Sequence, residues 1–312
     1  MRFLSRLLLI LCGILLPCFL IEAGVRAERY FSRGTSIWTN PSSKWDRELG
    51  WLGKEHVIEN KRNDHPILVL GDSFTEGMDL PSEEMWFSYL KEISKEQKII
   101  AYGGRGYGTL QQLMMLKKYL SGGLKPSAII IQLCTNDIIN NSYELEKQSH
   151  IQRAPGPRPY LEDGKINIRF ARNFDWALYP LVSISRVAAY YSMKWELKTA
   201  ALANSRKINS IEFDIAKSGF ALPAYRQAVS VTDALIGQIK ETAGETPLHF
   251  VLVDEVEPYV AALKTTLDKK KLQLIIAPQI QKFLDSDRLE DGTHLNKEGN
   301  KKLGESVVKE MT

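Results

Sequence analysis

The 312-residue chain has little of what would staple, metallate or strongly charge it. Its three cysteines are Cys12, Cys18 and Cys134, and the first two lie in an apolar N-terminal run, so no disulfide framework can be built. Charge of neither sign dominates: 41 Lys and Arg oppose 37 Asp and Glu for a net +4, and the basic residues are scattered rather than gathered in a stripe, which speaks against a nucleic-acid partner. Histidine is scarce, with five residues to supply any imidazole chemistry. No apolar run after the N-terminal one approaches it in length, which allows a single membrane span at most. Internal repeats and low-complexity tracts are missing as well. The glycine-rich stretch Gly103-Gly104-Arg105-Gly106-Tyr107-Gly108 lacks the Gly-Lys-Ser/Thr ending of a phosphate loop. The acid expected about twenty residues further on for a dinucleotide is replaced by Gly122, Gly123, Leu124 and Lys125.

What is present begins at the N-terminus. Arg2 and Arg6 precede an unbroken apolar run, Leu7 to Ile21, and polar sequence follows from Glu22, the layout of an export signal. Its fifteen residues fall between the core of a cleavable signal peptide and a helix long enough to span a bilayer. Val25-Arg26-Ala27 has the small-residue spacing a signal peptidase uses, so a retained anchor and a cleaved signal both stand. Either one puts the rest of the chain outside the cytoplasm, as a membrane-anchored or a secreted protein. The expected organisation is residues 1–24 as this apolar helix, 25–64 as a lead-in without sustained periodicity, and 65–312 as one domain carrying an insertion at about 141–221.

With 44% apolar residues the chain is long enough to bury one large core. Pro66-Ile67-Leu68-Val69-Leu70-Gly71 is a short continuous apolar run ending in glycine, which predicts a strand covered on both faces. A helix is expected near Ser82–Ser94, with Ser82 as its cap and Glu83 and Glu84 in its first turn. Strand and helix then alternate: strands at Lys98–Ala101, Ser127–Leu133, Leu248–Val253 and Leu272–Ala277, helices at Leu110–Leu120, near Tyr225–Thr242, near Glu257–Leu267 and from about Lys297 to Lys309. That alternation predicts an α/β fold with a parallel sheet of about five strands. The insertion interrupts it with the Pro-rich Ala154–Pro159, a hairpin turn at Glu162-Asp163-Gly164 and a helical region near Ser183–Ala203.

The first strand delivers Gly71-Asp72-Ser73-Phe74 at its carboxyl end, the edge of an open parallel sheet where ligands bind. Alone, this segment is an ordinary Asp turn; as chemistry, it presents a serine hydroxyl that needs a base, itself oriented by a third group. His56 and His65 sit in the lead-in, His150 in the insertion and His249 at a strand entrance. His294 lies instead in Asp291-Gly292-Thr293-His294, a turn between the last strand and the last helix, with Asp291 placed to orient its ring. Alone, that turn is an Asp-Gly reversal followed by the helix cap Asn296. Two segments after successive strands can cradle a developing oxyanion: Gly103–Gly108 with a backbone N–H, and Cys134-Thr135-Asn136-Asp137 with the Asn136 amide. Cys134 reads as a small buried hydrophobe rather than a rival nucleophile.

These segments, Gly71–Phe74, Gly103–Gln111, Asn136-Asp137 and Asp291–His294, occur in the order and approximate spacing of the blocks of SGNH (GDSL-like) hydrolases. The chain resembles that family over roughly residues 65–140 and 225–312. Asp46–Trp51 and Arg158-Pro159-Tyr160 also resemble its membrane-associated bacterial members. The resemblance implies a three-layer sandwich of flavodoxin-like type. It implies Ser73 as nucleophile and first oxyanion donor, Gly106 and Asn136 as the other donors, His294 as base and Asp291 as orienting acid. The implied activity is that of an extracytoplasmic serine esterase working through an acyl-serine, with no metal or organic cofactor required. Its substrate would be an ester-bearing small molecule, a lipid or an acylated envelope polysaccharide. Acyl transfer to a sugar hydroxyl, and a membrane-tethered binding module of the same fold without turnover, are the alternatives. The sequence departs from the family at Ala101, where many members have Asn, and at Cys134, where glycine is usual.

Overall fold

The computed structural model describes residues 2–33, 45–46, 48–78, 80–94, 96–150, 152, 156–172, 175–205, 210–277, 282–289 and 292–312. The chain divides into two compact units: one formed by residues 1–46 and 173–208, the other by residues 47–172 and 209–312.

Among its described residues the first unit holds three helices, α1 (Arg2–Arg33), α6 (Asp175–Ile184) and α7 (Arg186–Ser205). Glu22 of α1 clasps the start of α7. Its carboxylate accepts the N–H of Arg186 at 2.9 Å and of Val187 at 3.0 Å, and the hydroxyl of Ser185 at 2.9 Å. A carboxylate at a helix N-terminus satisfies donors that have no partner within the helix and meets the positive end of its dipole. Arg26, one turn along α1, pairs with Glu22 at 2.8 Å and donates to the Ile184 carbonyl at 2.7 Å. Among the described residues, no helix is long and apolar enough to cross a membrane.

The second unit is built on a six-stranded sheet. In chain order its strands are β1 (Lys54–Ile58), β2 (Arg62–Gly71), β3 (Gln97–Gly103), β4 (Ala128–Leu133), β7 (Leu248–Leu252) and β8 (Leu274–Ile276), while β5 (Pro157–Glu162) and β6 (Lys165–Phe170) form a separate antiparallel hairpin. The sheet order is β8-β7-β4-β2-β3-β1, all parallel except β1, which runs antiparallel to β3. The five expected strands form the parallel part. The sixth, β1, lies within the stretch read as a lead-in without sustained periodicity, so the sheet is one strand wider than expected.

The apolar runs follow from burial on both faces. Leu68 and Leu70 of β2 face one core with Ile129 and Ile131 of β4, while Ile67 and Val69 face the other with Ile130. Each such fully buried aliphatic side chain contributes roughly 1.5–3 kcal/mol. Helices α3 (Thr109–Ser121), α9 (Pro223–Ala243) and α10 (Tyr259–Lys269) cover the first face through Leu116, Leu235 and Leu263. The second face is covered by α11 (Lys297–Met311), through Leu303 and Val307, and by the segment around Trp86, Phe87 and Leu90. The helix expected at Ser82–Ser94 is replaced there by two 3-10 segments, Ser82–Glu84 and Trp86–Glu92, entered from Pro81 rather than capped by Ser82. Four short helices complete the unit's loops: α2 (Ser73–Glu76), α4 (Asp137–Asn140), α5 (Tyr143–Gln148) and α8 (Ile211–Ser218).

From β2 the chain passes to β3 on one side of the sheet and then to β4 on the other. The strand order therefore reverses at the carboxyl end of β2, and the loops after β2, β3, β4 and β7 meet at that crevice.

Candidate active site

Ser73 is the first residue of α2, directly after β2. Asp72 caps that helix: its Oδ1 accepts the Phe74 N–H at 2.9 Å, which holds the turn with the serine at its crest. Gln132 of β4 braces the turn from beneath, its Oε1 accepting both the Asp72 N–H at 3.0 Å and the Thr75 hydroxyl at 2.9 Å. The end of β3 closes on the same turn. A Cβ on Gly103 would stand 2.4 Å from the Glu76 nitrogen and 2.5 Å from the Asp72 oxygen, so only glycine lets the two backbones approach this closely.

His294 arrives from the other side, on the loop before α11. That loop is pinned by a bridge between Arg288 and Leu295 and by the Leu289 N–H donating to the His294 carbonyl at 2.8 Å. At its base Lys302 holds both oxygens of Asp287 at 2.7 Å. Asn296 caps α11 by accepting the Glu298 and Gly299 N–H groups at 2.9 and 3.1 Å, so the turn is both a helix cap and a support for the imidazole. The outcome is one decisive distance: His294 Nε2 lies 2.8 Å from Ser73 Oγ, across 221 residues of chain. The Phe74 ring packs on the imidazole with centroids 5.4 Å apart. Asp291, the expected orienting acid, lies outside the described residues.

The chain matches the family model of GDSL-like lipases and acylhydrolases over residues 67–307. It belongs to that family. As a GDSL-like hydrolase it is an enzyme of the serine hydrolase and esterase class. No curated protein matches it in sequence. Among solved structures it is similar to TesA, at 12% identity and a TM-score of 0.41 over 78% of this chain and 96% of that one. A lipolytic G-D-S-L protein from Desulfitobacterium hafniense gives 12% and 0.41, covering 78% and 98%. A family 3 carbohydrate esterase from Clostridium thermocellum gives 14% and 0.39, covering 80% and 94%.

In this GDSL-like hydrolase the other expected site residues occupy the loops after β3 and β4. Gly106 sits in a turn closed by the Tyr107 N–H on the Gly104 carbonyl at 3.0 Å, with φ of +66°, a torsion that suits glycine. The neighbouring Arg105 ties this loop to α2 through a 3.2 Å ion pair with Glu76. Asn136 precedes α4, and its Nδ2 donates to Asn140 Oδ1 at 2.7 Å, which fixes the amide plane and commits one of its two N–H groups.

Two features went unseen in the sequence. Asp254, just past β7, grips Thr135 with both oxygens: Oδ1 accepts the Thr135 N–H at 2.8 Å and Oδ2 accepts the Thr135 hydroxyl. It therefore fixes the backbone one residue before Asn136. His56, assigned to a polar lead-in, is buried on β1, where its ring bridges Ser82 Oγ and the Glu76 carbonyl, each at 2.9 Å. Burial pulls its pKa down and favours a neutral strut under α2.

Beneath the crevice lie two buried acids, Asp72 and Asp137, with the half-buried Asp254 beside them. Burial pushes Asp72 up to about 6 and raises Asp254 as well. Asp137 is pushed well above the usual carboxylate range by burial first and then by the charges of Asp72 and Asp254. Cys134 is buried beside them, and burial pushes its thiol well up, which suits a packing residue and not a thiolate nucleophile. A cavity of about 230 Å³ opens beside Phe74, walled by Val253, Val256, Phe283 and Leu295 with Asp254 and Arg288 among its polar edges.

Proposed function

We propose that the protein is an esterase in which Ser73 forms an acyl-enzyme with His294 as its base. The observation that carries this reading is the 2.8 Å contact between Ser73 Oγ and His294 Nε2. Ser73 Oγ attacks the ester carbonyl carbon while its proton passes to His294 Nε2. The C–O bond to the alcohol then breaks, and His294 returns the proton to the departing alkoxide. Water, deprotonated by His294 in turn, attacks the acyl-serine, frees the acid and restores the hydroxyl. Asp291, three residues before His294, is assigned the orientation of the ring. The backbone N–H groups of Ser73 and Gly106 and the second N–H of Asn136 are assigned to the oxyanion.

The 230 Å³ cavity next to Phe74 favours a short acyl group over a long lipid chain, since ligand pockets for larger molecules run about 300–1,000 Å³. An acetyl group carried by an envelope polysaccharide suits that cavity, with the sugar outside it, and the extracytoplasmic placement drawn from Arg2, Arg6 and the run Leu7–Ile21. Retention of the N-terminal helix is favoured over cleavage, because cutting after Ala27 would remove both Glu22 and Arg26 from the start of α7.

The test is a fluorophosphonate probe and p-nitrophenyl acetate offered to the purified full chain. Wild type should label and hydrolyse, and Ser73→Ala should do neither. Failure of wild type to label, or equal labelling of Ser73→Ala, would refute the reading and leave a binding module of the same fold.

A further inference from the structure

Among the described residues, the unit made of α1, α6 and α7 exposes a series of large aliphatic and aromatic side chains. Along α6, Leu178, Leu181 and Ile184 recur every third residue on one face, and all three are exposed, Leu181 at 54%. On α7, Tyr190, Tyr191 and Trp195 are exposed too, Trp195 at 70%. A patch of exposed aliphatic and aromatic side chains of this kind marks an interaction surface. Charge adds a second observation. Arg2 and Arg6 lie on the far side of the apolar run; from Glu22 onward, residues 22–46 and 173–208 carry nine Lys and Arg against five Asp and Glu, a net +4, whereas residues 47–172 and 209–312 carry a net −2. The positive charge is concentrated in the unit that also exposes the aromatics.

The Glu22 clasp gives this surface its level. Glu22 is the first residue after the apolar run, and it holds Ser185, Arg186 and Val187 directly. The end of α6 and the start of α7 are therefore fixed where the apolar stretch of α1 gives way to polar sequence, with Ile184 one residue from the clasp. On α1 itself the last apolar residues, among them Phe19 and Leu20, are exposed as well. Tyrosine, tryptophan and lysine next to aliphatic side chains are the composition of the headgroup boundary of a bilayer, where ring bodies are buried and polar tips stay wet.

We propose that α6 and α7 lie in the headgroup region of an anionic lipid bilayer and, together with the end of the apolar run of α1, seat the protein on that surface. The proposal rests on the membrane-attached placement given above and is independent of the chemistry at Ser73. Its occupant is a lipid surface. The aromatic and aliphatic side chains beside the end of the apolar run argue for lipid, and the excess of positive charge argues for anionic lipid.

The experiment labels the full chain with an environment-sensitive NBD fluorophore at a single cysteine, in a background of Cys12→Ser and Cys18→Ser with buried Cys134 left in place. Leu181→Cys and Trp195→Cys report on the surface, and Glu245→Cys, exposed in the other unit, is the control. On adding vesicles of phosphatidylcholine with 30% phosphatidylglycerol, emission should shift to the blue at positions 181 and 195 but not at 245. Half-maximal shift should need about tenfold less lipid than with phosphatidylcholine alone. Protein that sediments with the vesicles while 181 and 195 stay unshifted would overturn the proposal and leave attachment to α1 alone. Protein that does not sediment would overturn it together with the membrane placement. Labels already blue-shifted without lipid would point to a second copy of the chain and overturn it. Equal response to both vesicle types would overturn the anionic selectivity on which it is argued.

Discussion

Asp254 is the most informative residue to remove, because it touches no reacting atom yet holds the backbone beside one. Both its oxygens are used by Thr135, one by the N–H and one by the hydroxyl, and Thr135 is itself buried. In Asp254→Ala two buried donors lose their acceptor, at about 1–3 kcal/mol each. Part of that is offset, because the substitution also removes a half-buried carboxyl whose charge is disfavoured, the reason its pKa is raised. The net loss of stability should be about 1–3 kcal/mol, read as a lowered urea midpoint. The effect on turnover follows from the next residue. In the oxyanion role proposed for Asn136, losing the donor outright would cost about 10²–10³ in kcat, and displacing its amide should cost less, about 10- to 100-fold. Asp254→Asn keeps one acceptor and should fall between wild type and alanine in both measurements. With p-nitrophenyl acetate, KM should stay within about threefold, since an interaction used chiefly in the transition state moves kcat and not binding. An Asp254→Ala protein with the lowered midpoint but a kcat within about twofold of wild type would refute the claim that this clasp positions Asn136.

Two further outcomes follow from the same layer of the structure. Asp137 has a raised folded pKa, so it binds its proton more tightly folded than unfolded, and the protein loses stability as pH rises from the unfolded value near 4 through the folded one. Asp137→Asn removes that loss: urea midpoints should favour the variant at pH 8, with the difference shrinking toward pH 4, and a difference equal at both pH values would contradict the assignment. Gly103→Ala places a methyl 2.4 and 2.5 Å from backbone atoms of Glu76 and Asp72, where no side chain can swing away. It should cost about 1–3 kcal/mol or more and abolish fluorophosphonate labelling by displacing the Ser73 turn, and a variant that labels at the wild-type rate would show that the contact is not needed.

The five parallel strands were legible because a strand covered on both faces has to be continuously apolar, and Gly or Pro marks its ends in Pro66–Gly71 and in Leu272–Pro278. Strand β1 carries no such mark. Lys54-Glu55-His56-Val57-Ile58 is an edge strand in which the fully buried position is filled by His56, a residue that reads as polar, and Ile58 is only partly covered. The segment at Ser82–Glu92 misled for a different reason. Met85, Trp86, Phe87 and Leu90 are all buried, which is burial around the chain rather than along one helical stripe, and consecutive short 3-10 turns accommodate it.

The pairing of Ser73 with His294 could be anticipated because each residue stands at a strand end or turn that needs explaining. Asp254 could not, since in Leu252-Val253-Asp254-Glu255 it looks like the first solvent-facing acid after a strand, and its partner is 119 residues earlier. The same limit applies to the glycine-rich loop. Read along the sequence, every glycine from Gly103 to Gly108 is an equal candidate to offer an N–H to an oxyanion. In space they divide: Gly103 is small because two backbones touch there, while Gly106 turns the chain with a positive φ. A spacing pattern identifies which loops meet at a crevice, but the separate task of each residue within a loop is set by what packs against it from elsewhere in the chain. That is why the 2.8 Å contact between Ser73 and His294 could be anticipated from the sequence, along with the Asp72 turn and the Asn296 cap, while the long-range support from Asp254 could not.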